Sequence, residues 1–571
     1  MPKSPISIDD FSRGLHIEGR NDAMPVGTMR RGKGIHPDIT NTMKSRNGST
    51  QDQALNSHSL FEFDDKRFQG ATTILHRQGS SVKTGLDGTN LTFVKMPPTL
   101  GAIDRLFCSG GGDLFKVDTA GTATQWGIDD PTSNLSAAVG AAGALTGVYQ
   151  YKFTFLNSVS GTRSNGNPTA ASVTLSSERA DLTAIAVSPD SQVDRREIWR
   201  TVTGGANFFL LTTINDNITT ILTDNALDTT LGVELPVDSG PPKDTFEDCA
   251  GPHDGRMWWG RDTASGAEGR IYFSPTGKAE SVEGFIDVTE SDNGVQKIIP
   301  WSGNMYAIAK TSFYEISGVG TAAVFTIREL SASPGTVQPF TVMPTPGGIM
   351  YQAQDGIMVF DGILSKRVKM EQIISIFKGE TTEGISAFNG TSATVTEQEY
   401  MISDGTTTLA YNFSREIWRN VGVGCNALFY EKDTGKIQAS FQSNTLLLED
   451  DGKVQDNTTA ISIEWETPHI PTAEDQKSIL RRLIIDADTQ DESLTPTIII
   501  DGVSTTLPDL VSSSRKTTTL GVMKAGNTMG LRLNGDVSKQ VEIFRILFDA
   551  YVPERSISAE RRVQITQSAD E

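Results

Sequence analysis

Residues Pro346–Gly362 read PGGIMYQAQDGIMVFDG. Two five-residue apolar-patterned runs, Ile349–Ala353 and Ile357–Asp361, flank Gln354-Asp355-Gly356. Asp-Gly in such a break is a strong hairpin signal, because glycine accepts the positive φ that a tight turn between antiparallel strands demands. The same shape recurs in Leu106–Asp118 (LFCSGGGDLFKVD), Met257–Ser274, Met305–Gly318 (MYAIAKTSFYEISG), Tyr400–Trp418 and Ile437–Gly452 (IQASFQSNTLLLEDDG). Five of these hairpins start at 257, 305, 349, 400 and 437, so successive starts lie 48, 44, 51 and 37 residues apart. Each unit also holds shorter apolar runs such as Gln296–Pro300, Phe325–Leu330 and Gly384–Phe388. That is enough chain for a four-stranded sheet, the size of a propeller blade. One such sheet cannot cover both its faces, whereas a ring of them can. With the hairpin at 106, six blades are detectable. The expected fold is all-β: a six- or seven-bladed β-propeller with an inserted fibronectin-III-like β-sandwich and a C-terminal β-rich region.

The insertion follows from a broken rhythm, since the hairpins at 106 and 257 are several periods apart. Between them Gly147–Leu156 alternates, Ala171–Leu175 and Leu182–Val187 are apolar or β-branched, and Phe208–Ile214 and Thr219–Thr223 follow. Arg195–Thr201 (RREIWRT) would put Arg196, Ile198 and Arg200 on one face and Glu197, Trp199 and Thr201 on the other. Turns at Ser160-Gly161, Asn165-Gly166 and Gly204-Gly205 complete a sandwich-like rhythm, and Pro236, Pro241 and Pro242 make a stiff exit. The expected domains are an extended N-terminal arm over 1–60, a first blade segment over 61–134, and the sandwich over 135–242. The remaining blades occupy 243–460, a second sandwich or strand bundle 461–553, and a polar tail 554–571. The one expected helix is Lys369–Lys378, whose Met370, Ile373, Ile374 and Phe377 share a face.

Across 571 residues, 50 Lys and Arg stand against 70 Asp and Glu, a net charge of −20. Such a balance argues against gripping nucleic acid by phosphate neutralisation, which needs basic patches. The N-terminal stretch is the exception, with Arg30, Arg31, Lys33, Lys44 and Arg46 against the single acid Asp38 over 29–46. It reads as an arm that either stays solvated or ties one subunit to another. Cys108, Cys249 and Cys425 lie more than a hundred residues apart and match no metal or disulfide spacing, so buried thiols are expected. No signal peptide and no membrane-spanning run is read from the sequence.

No catalytic, cofactor-binding or metal-ligating residue is assigned, and no cofactor is expected. His16, His36, His58, His76, His253 and His469 are scattered singly. There is no nucleophile elbow, Walker loop or dinucleotide fingerprint. His253 in GPHDGRMWWG stands beside Asp254 and Arg256, a pairing expected to cap a turn. The acidic clusters Glu283, Asp287, Glu290, Asp292 and Asp486, Asp488, Asp491, Glu492 are expected on solvated loops. Asp87-Gly88, Asp355-Gly356 and Asp292-Asn293-Gly294 lack the alternating ligands of a calcium loop and read as turns. The tryptophans, one or two per unit, are expected to pack between blades.

The order of the pieces resembles the tail nozzle, or head–tail stabilisation, proteins of short-tailed (podovirus-type) bacteriophages. The residues that carry the resemblance are YKFTFLNSVSGTRSNGNPTAASVTLS (151–176), RREIWRTVTGGANFFLLTTI (195–214) leading to TDNALDTTLGVELP (223–236), HDGRMWWG with IYFSPTG (253–277), and SPGTVQPFTVMPTPGGIMYQAQDGIMVFDG (333–362). The resemblance implies a non-enzymatic, ring-shaped hexamer in the virion tail, made in the host cytoplasm. Such a ring extends and seals the DNA exit channel below the portal and its adaptor ring, bears fibre, knob or tip proteins, and conducts double-stranded DNA without tight binding or membrane insertion. Which residues face the lumen or a neighbouring subunit is not legible. Two alternatives come from other classes: a propeller tail protein that binds or cleaves host glycan, and a cellular propeller scaffold with a fibronectin module made for protein contacts.

Overall fold

The computed structural model describes residues 5–20, 23–38, 40–96, 104–237, 239–318, 325–471 and 477–551. The chain is an all-β propeller protein. Among the described residues seven sheets are four-stranded antiparallel meanders, the make-up of propeller blades. They span 59–84, 92–125, 246–287, 295–334, 343–367, 392–420 and 427–448, the last completed by Thr50–Gln53. The six hairpins legible in the sequence are the second and third strands of blades two to seven. In the hairpin at 346–362, Gly348–Ala353 pairs with Gly356–Phe360 through the register Ile349↔Phe360 and Ala353↔Gly356.

Residues 61–134, read as one blade segment, hold blade two and most of blade one. The blade-one hairpin escaped notice because its turn is Thr72-Thr73, with Thr72 at φ 53° and no glycine to mark it. The chain forms two compact units, Gln53–Arg367 and Met1–Asp52 with Val368–Glu571.

In the unit Gln53–Arg367 each pair of consecutive blades shares one apolar core. Phe68 and Leu75 meet Leu106 and Phe115 between blades one and two. Phe107 and Trp126 meet Met257 and Trp259 between two and three. Trp258 and Phe273 meet Ile298 and Met305 between three and four, and Ile299 and Phe313 meet Ile349 and Phe360 between four and five. Trp258 and Trp259 thus fill two different cores, as do Ile298 and Ile299, because successive side chains of a strand point to opposite faces. Aromatic side chains at these positions make contacts across the seams, Trp126 to Trp259 at 5.5 Å and Tyr306 to Phe360 at 5.1 Å.

The inserted β domain enters between blades, after Ala123–Gln125 and before Phe246–His253. Its five strands run Phe208–Ile214, Arg195–Thr201, Ser136–Leu156, Ala171–Thr183, Leu222–Asp224 across a continuous antiparallel sheet. The 21-residue strand changes register between Val139 and Thr146, where bulges let it bend. Tyr149, Tyr151, Phe153 and Phe155 lie two apart and share one core with Val173, Leu175 and Ile198. Both faces of Arg195–Thr201 are buried. Arg196 is paired with Asp216, and Arg200 with Asp224 and Asp228. Glu280 fixes the domain to its blades: it accepts from Arg105 at 2.7 Å, from the buried Lys116, and from Thr162 of the insertion at 2.9 Å.

In the other unit, blades six and seven share a core of Met401, Ala410, Leu428, Phe441 and Leu446. The C-terminal region is a β-sandwich of two six-stranded sheets. Leu480, Leu483, Ile546 and Phe548 from one sheet pack with Ile463, Trp465, Leu531 and Leu533 from the other.

The extended arm expected over residues 1–60 is corrected by this unit, which weaves the segment into its own chain. Ile6–Ile8 pairs with Glu542–Tyr551, Arg31–Lys33 with Ile461–Glu466, and Met43–Ser45 again with Glu542–Tyr551. Ile8, Phe11, Leu15, Met29, Ile35 and Met43 are each at most 3% exposed. Their partners lie some four to five hundred residues away, so no local apolar periodicity announced the burial. The expected helix is also shorter than read: only Ile374–Phe377 is helical, and Ile376 rather than Ile374 is buried with Met370, Ile373 and Phe377. The polar tail read at 554–571 lies outside the described residues.

Candidate functional site

Several of the residues singled out in the sequence lie in turns, ion pairs or the core. His253 pairs with Arg256 across a turn in which Asp254 and Gly255 take φ 51° and 69°. The His253 ring lies 3.6 Å from Asp254, and burial lowers its pKa. Arg256 is ion-paired to Glu283 instead. Asp287 holds Arg270 at 2.7 Å and Asp486 holds Arg515 at 2.6 Å. Asp87 accepts from the backbone and the hydroxyl of Thr89, both at 2.8 Å, which is turn chemistry. Cys108, Cys249 and Cys425 are buried free thiols, and burial pushes those of Cys249 and Cys425 up to about 12. Among the described residues no group of three or more His, Cys, Asp or Glu is placed to hold a metal, and no helix is long and apolar enough to cross a membrane.

Arg30, Arg31, Lys44 and Arg46 of the basic N-terminal stretch neutralise acids of their own unit. Arg30 pairs with Glu383, and Arg31 with Glu383 at 3.2 Å and Glu464 at 3.3 Å. Lys44 meets Asp38 at 2.8 Å, and Arg46, 1% exposed, pairs with Asp456. Glu466 gathers Arg532 at 2.6 Å, His469 at 3.5 Å and Arg30 at 3.8 Å. These pairs hold the segment in the fold, where the sequence alone left open a solvated arm or a tie to another subunit.

A cavity of about 590 Å³ opens in the same unit, between His36–Asp38 on one side and the ends of blades six and seven on the other. At its base the Arg419 guanidinium is bound by two carboxylates, Glu399 at 2.7 Å and Glu449 at 2.7 Å. Burial opposes the charge on Glu449, but Arg419 overcomes it and holds the carboxyl down at about 2. His36 lies against this pair. Burial, reinforced by Arg419, lowers its pKa, and among the described residues its buried Nδ1 has no hydrogen-bond partner. No spacing in the sequence links 36, 399, 419 and 449. They converge because strand ends of two adjacent blades meet a strand from the N-terminal segment.

The second notable surface is on the insertion. Among the described residues, ten of the eighteen exposed large apolar side chains lie within 135–242, under a fifth of the chain. Val187, Ile218 and Ile221, exposed by 45%, 79% and 63%, sit on two neighbouring loops. Those loops are joined by Ile185 N–H to the Thr220 carbonyl at 3.1 Å and by Asn217 Nδ2 to the Ser188 carbonyl at 2.9 Å.

No family model matches the sequence, and no curated protein matches it. Among solved structures it is similar to the C-terminal WD40 domain of Sif2, at 9% identity over 71% of this chain and 98% of that one, TM-score 0.26. It is also similar to YCF48 bound to D1 peptide, at 12% identity over 57% and 98%, TM-score 0.21. A third likeness is to PorZ, a surface component of the type-IX secretion system of Porphyromonas gingivalis, at 10% identity over 91% and 86%, TM-score 0.26. The fold assignment rests on the sheet topology and the cores shared by consecutive blades.

Proposed function

We propose that this chain is a structural protein of a short-tailed bacteriophage, a nozzle subunit that assembles as a hexameric ring and extends the DNA exit channel below the portal and adaptor. It is made in the bacterial cytoplasm and works in the virion tail, where its neighbours are the adaptor ring above and fibre, knob or tip proteins below. The observation that carries the reading is the concentration of exposed apolar side chains on the inserted domain. Large exposed apolar groups, such as Val187, Ile218 and Ile221 on their two joined loops, are what an assembling subunit covers on association. The ring would close through heterologous contacts, in which one face of a subunit meets a different face of the next.

The net charge of −20 supports the conduit role. Carboxylates facing a passing duplex repel its phosphates within about one screening length, ~8 Å at physiological salt, so DNA moves through without adhering. The role asks no chemistry of the protein.

Native mass spectrometry and electron microscopy of the purified chain, alone and mixed with its adaptor ring, test the proposal. A six-fold ring in either sample is the expected result. A monomer in both would overturn it.

A further inference from the structure

The cavity beside Arg419 holds hydrogen-bonding capacity that the fold does not use. Its volume, about 590 Å³, lies in the range of small-molecule sites, roughly 300–1,000 Å³. Arg419, Glu399 and Glu449 satisfy one another at its base. The wall groups differ. Asn412 Oδ1 accepts from the Ser414 hydroxyl at 2.9 Å and the Arg415 amide at 3.0 Å, but Asn412 Nδ2 donates to nothing among the described residues. Arg415 gives one Nη2 proton to the Asp38 carbonyl at 3.1 Å and keeps its Nε and Nη1 donors. The Gln398 side-chain amide is without a partner among the described residues.

The charge pattern narrows what could satisfy these groups. Glu399, Glu449 and Asp38 line the cavity and repel an anion, while Arg415 and Arg419 repel a cation. Asp38 is itself neutralised by Lys44 at 2.8 Å, so the lining is close to balanced. Only Pro37 and Ile417 are apolar, too few to hold a hydrophobic ligand. A neutral molecule that offers donors and acceptors side by side fits, and hydroxyl groups do both at once.

We propose that this cavity binds a short neutral saccharide, with Gln398, Asn412 and Arg415 bonding its hydroxyls. The proposal is of binding: Glu399 and Glu449 are both tied to Arg419 at 2.7 Å. The inference does not rest on the nozzle reading, since it concerns a cavity within one chain.

The test uses the full chain and a panel of neutral di- and trisaccharides (maltotriose, cellotriose, chitotriose, lactose), with sialyllactose and inorganic phosphate as charged controls. Binding is read by saturation-transfer NMR and by calorimetry. At least one neutral sugar is expected to bind, with the charged controls at least tenfold weaker. Gln398→Ala and Asn412→Ala are each expected to weaken that sugar at least fivefold while leaving the melting temperature within 2 °C. In a second arm, beads coated with polysaccharides ending in the same sugars distinguish a surface glycan from a free oligosaccharide as the source; retention in either arm supports the site. The proposal is overturned if no neutral sugar binds in either arm, if a charged control binds more tightly than every neutral sugar, or if both alanine variants bind as the unaltered chain does.

Discussion

Gly348 takes φ 144°, and a Cβ added there would stand 2.0 Å from the carbonyl oxygen of Phe360, its neighbour's partner in the hairpin. Neither the backbone nor that oxygen can yield without breaking the ladder. Gly348→Ala is therefore expected to cost at least the ~1–3 kcal/mol of a strained backbone residue, seen as a clear fall in the midpoint of thermal unfolding. An unchanged midpoint would mean that the blade-five hairpin is not built as described. Glu449 makes a prediction in pH. Its folded pKa, about 2, lies below its ordinary value of 4.5, so the stability it contributes is complete above 4.5 and drains away as pH falls towards 2. Glu449→Gln removes that contribution. The variant is expected to be less stable by about 1.5–3 kcal/mol at pH 7, the worth of a charge-assisted hydrogen bond, and the gap should narrow at pH 3. Chemical denaturation at the two pH values measures it, and a gap of equal size at both would sink the assignment. None of this was legible beforehand: nothing near Glu449 in the chain announces Arg419, and Gly348 reads as one more turn glycine.

At the scale of elements, the last blade is completed by Thr50–Gln53, a strand nearly four hundred residues from the three it joins. Successive backbone N–H groups of a strand point to opposite sides, so of Thr50 and Gln51 one must face the neighbouring strand Asn444–Leu448. Proline at both positions removes that donor whichever it is, at a cost of about 3 kcal/mol or less depending on how far the strand can shift. The expected result for Thr50→Pro/Gln51→Pro is faster amide hydrogen exchange along Asn444–Leu448 with the rates of blades two to four unchanged. If exchange there stays as slow as in the unaltered chain, the strand does not close the blade. The inner hairpins of six blades were readable because each carries alternating apolar residues about a short turn. The closing strand, TQDQ, was not, since four polar residues at a sheet edge have no pattern of their own.

For the whole molecule, the prediction concerns assembly. Ile218→Asp/Ile221→Asp alters two side chains that are already exposed by 79% and 63%, so the isolated chain should unfold within about 2 °C of the original, as surface changes away from packed features do. The same pair places two carboxylates in a surface that the proposed ring covers. Its expected effect is a loss of rings in native mass spectra at concentrations where the unaltered chain forms them. Rings that persist undiminished would show that the inserted domain's apolar loops face no neighbour.

The sequence by itself determined the all-β class, the blade rhythm, the place of the insertion and the burial of the three thiols. These are properties of short stretches, since a strand's alternation and a turn's glycine act over fewer than about twenty residues. Only the tertiary structure decided that the N-terminal fifty residues complete a blade and a sandwich, that Arg30, Arg31, Lys44 and Arg46 neutralise acids of the same chain, and that His36, Asn412, Arg419 and Glu449 surround one cavity. The reason is physical. A strand or an ion pair completed by a partner hundreds of residues away leaves no periodic trace in its own neighbourhood, because the energy that fixes it arises only when the two segments meet.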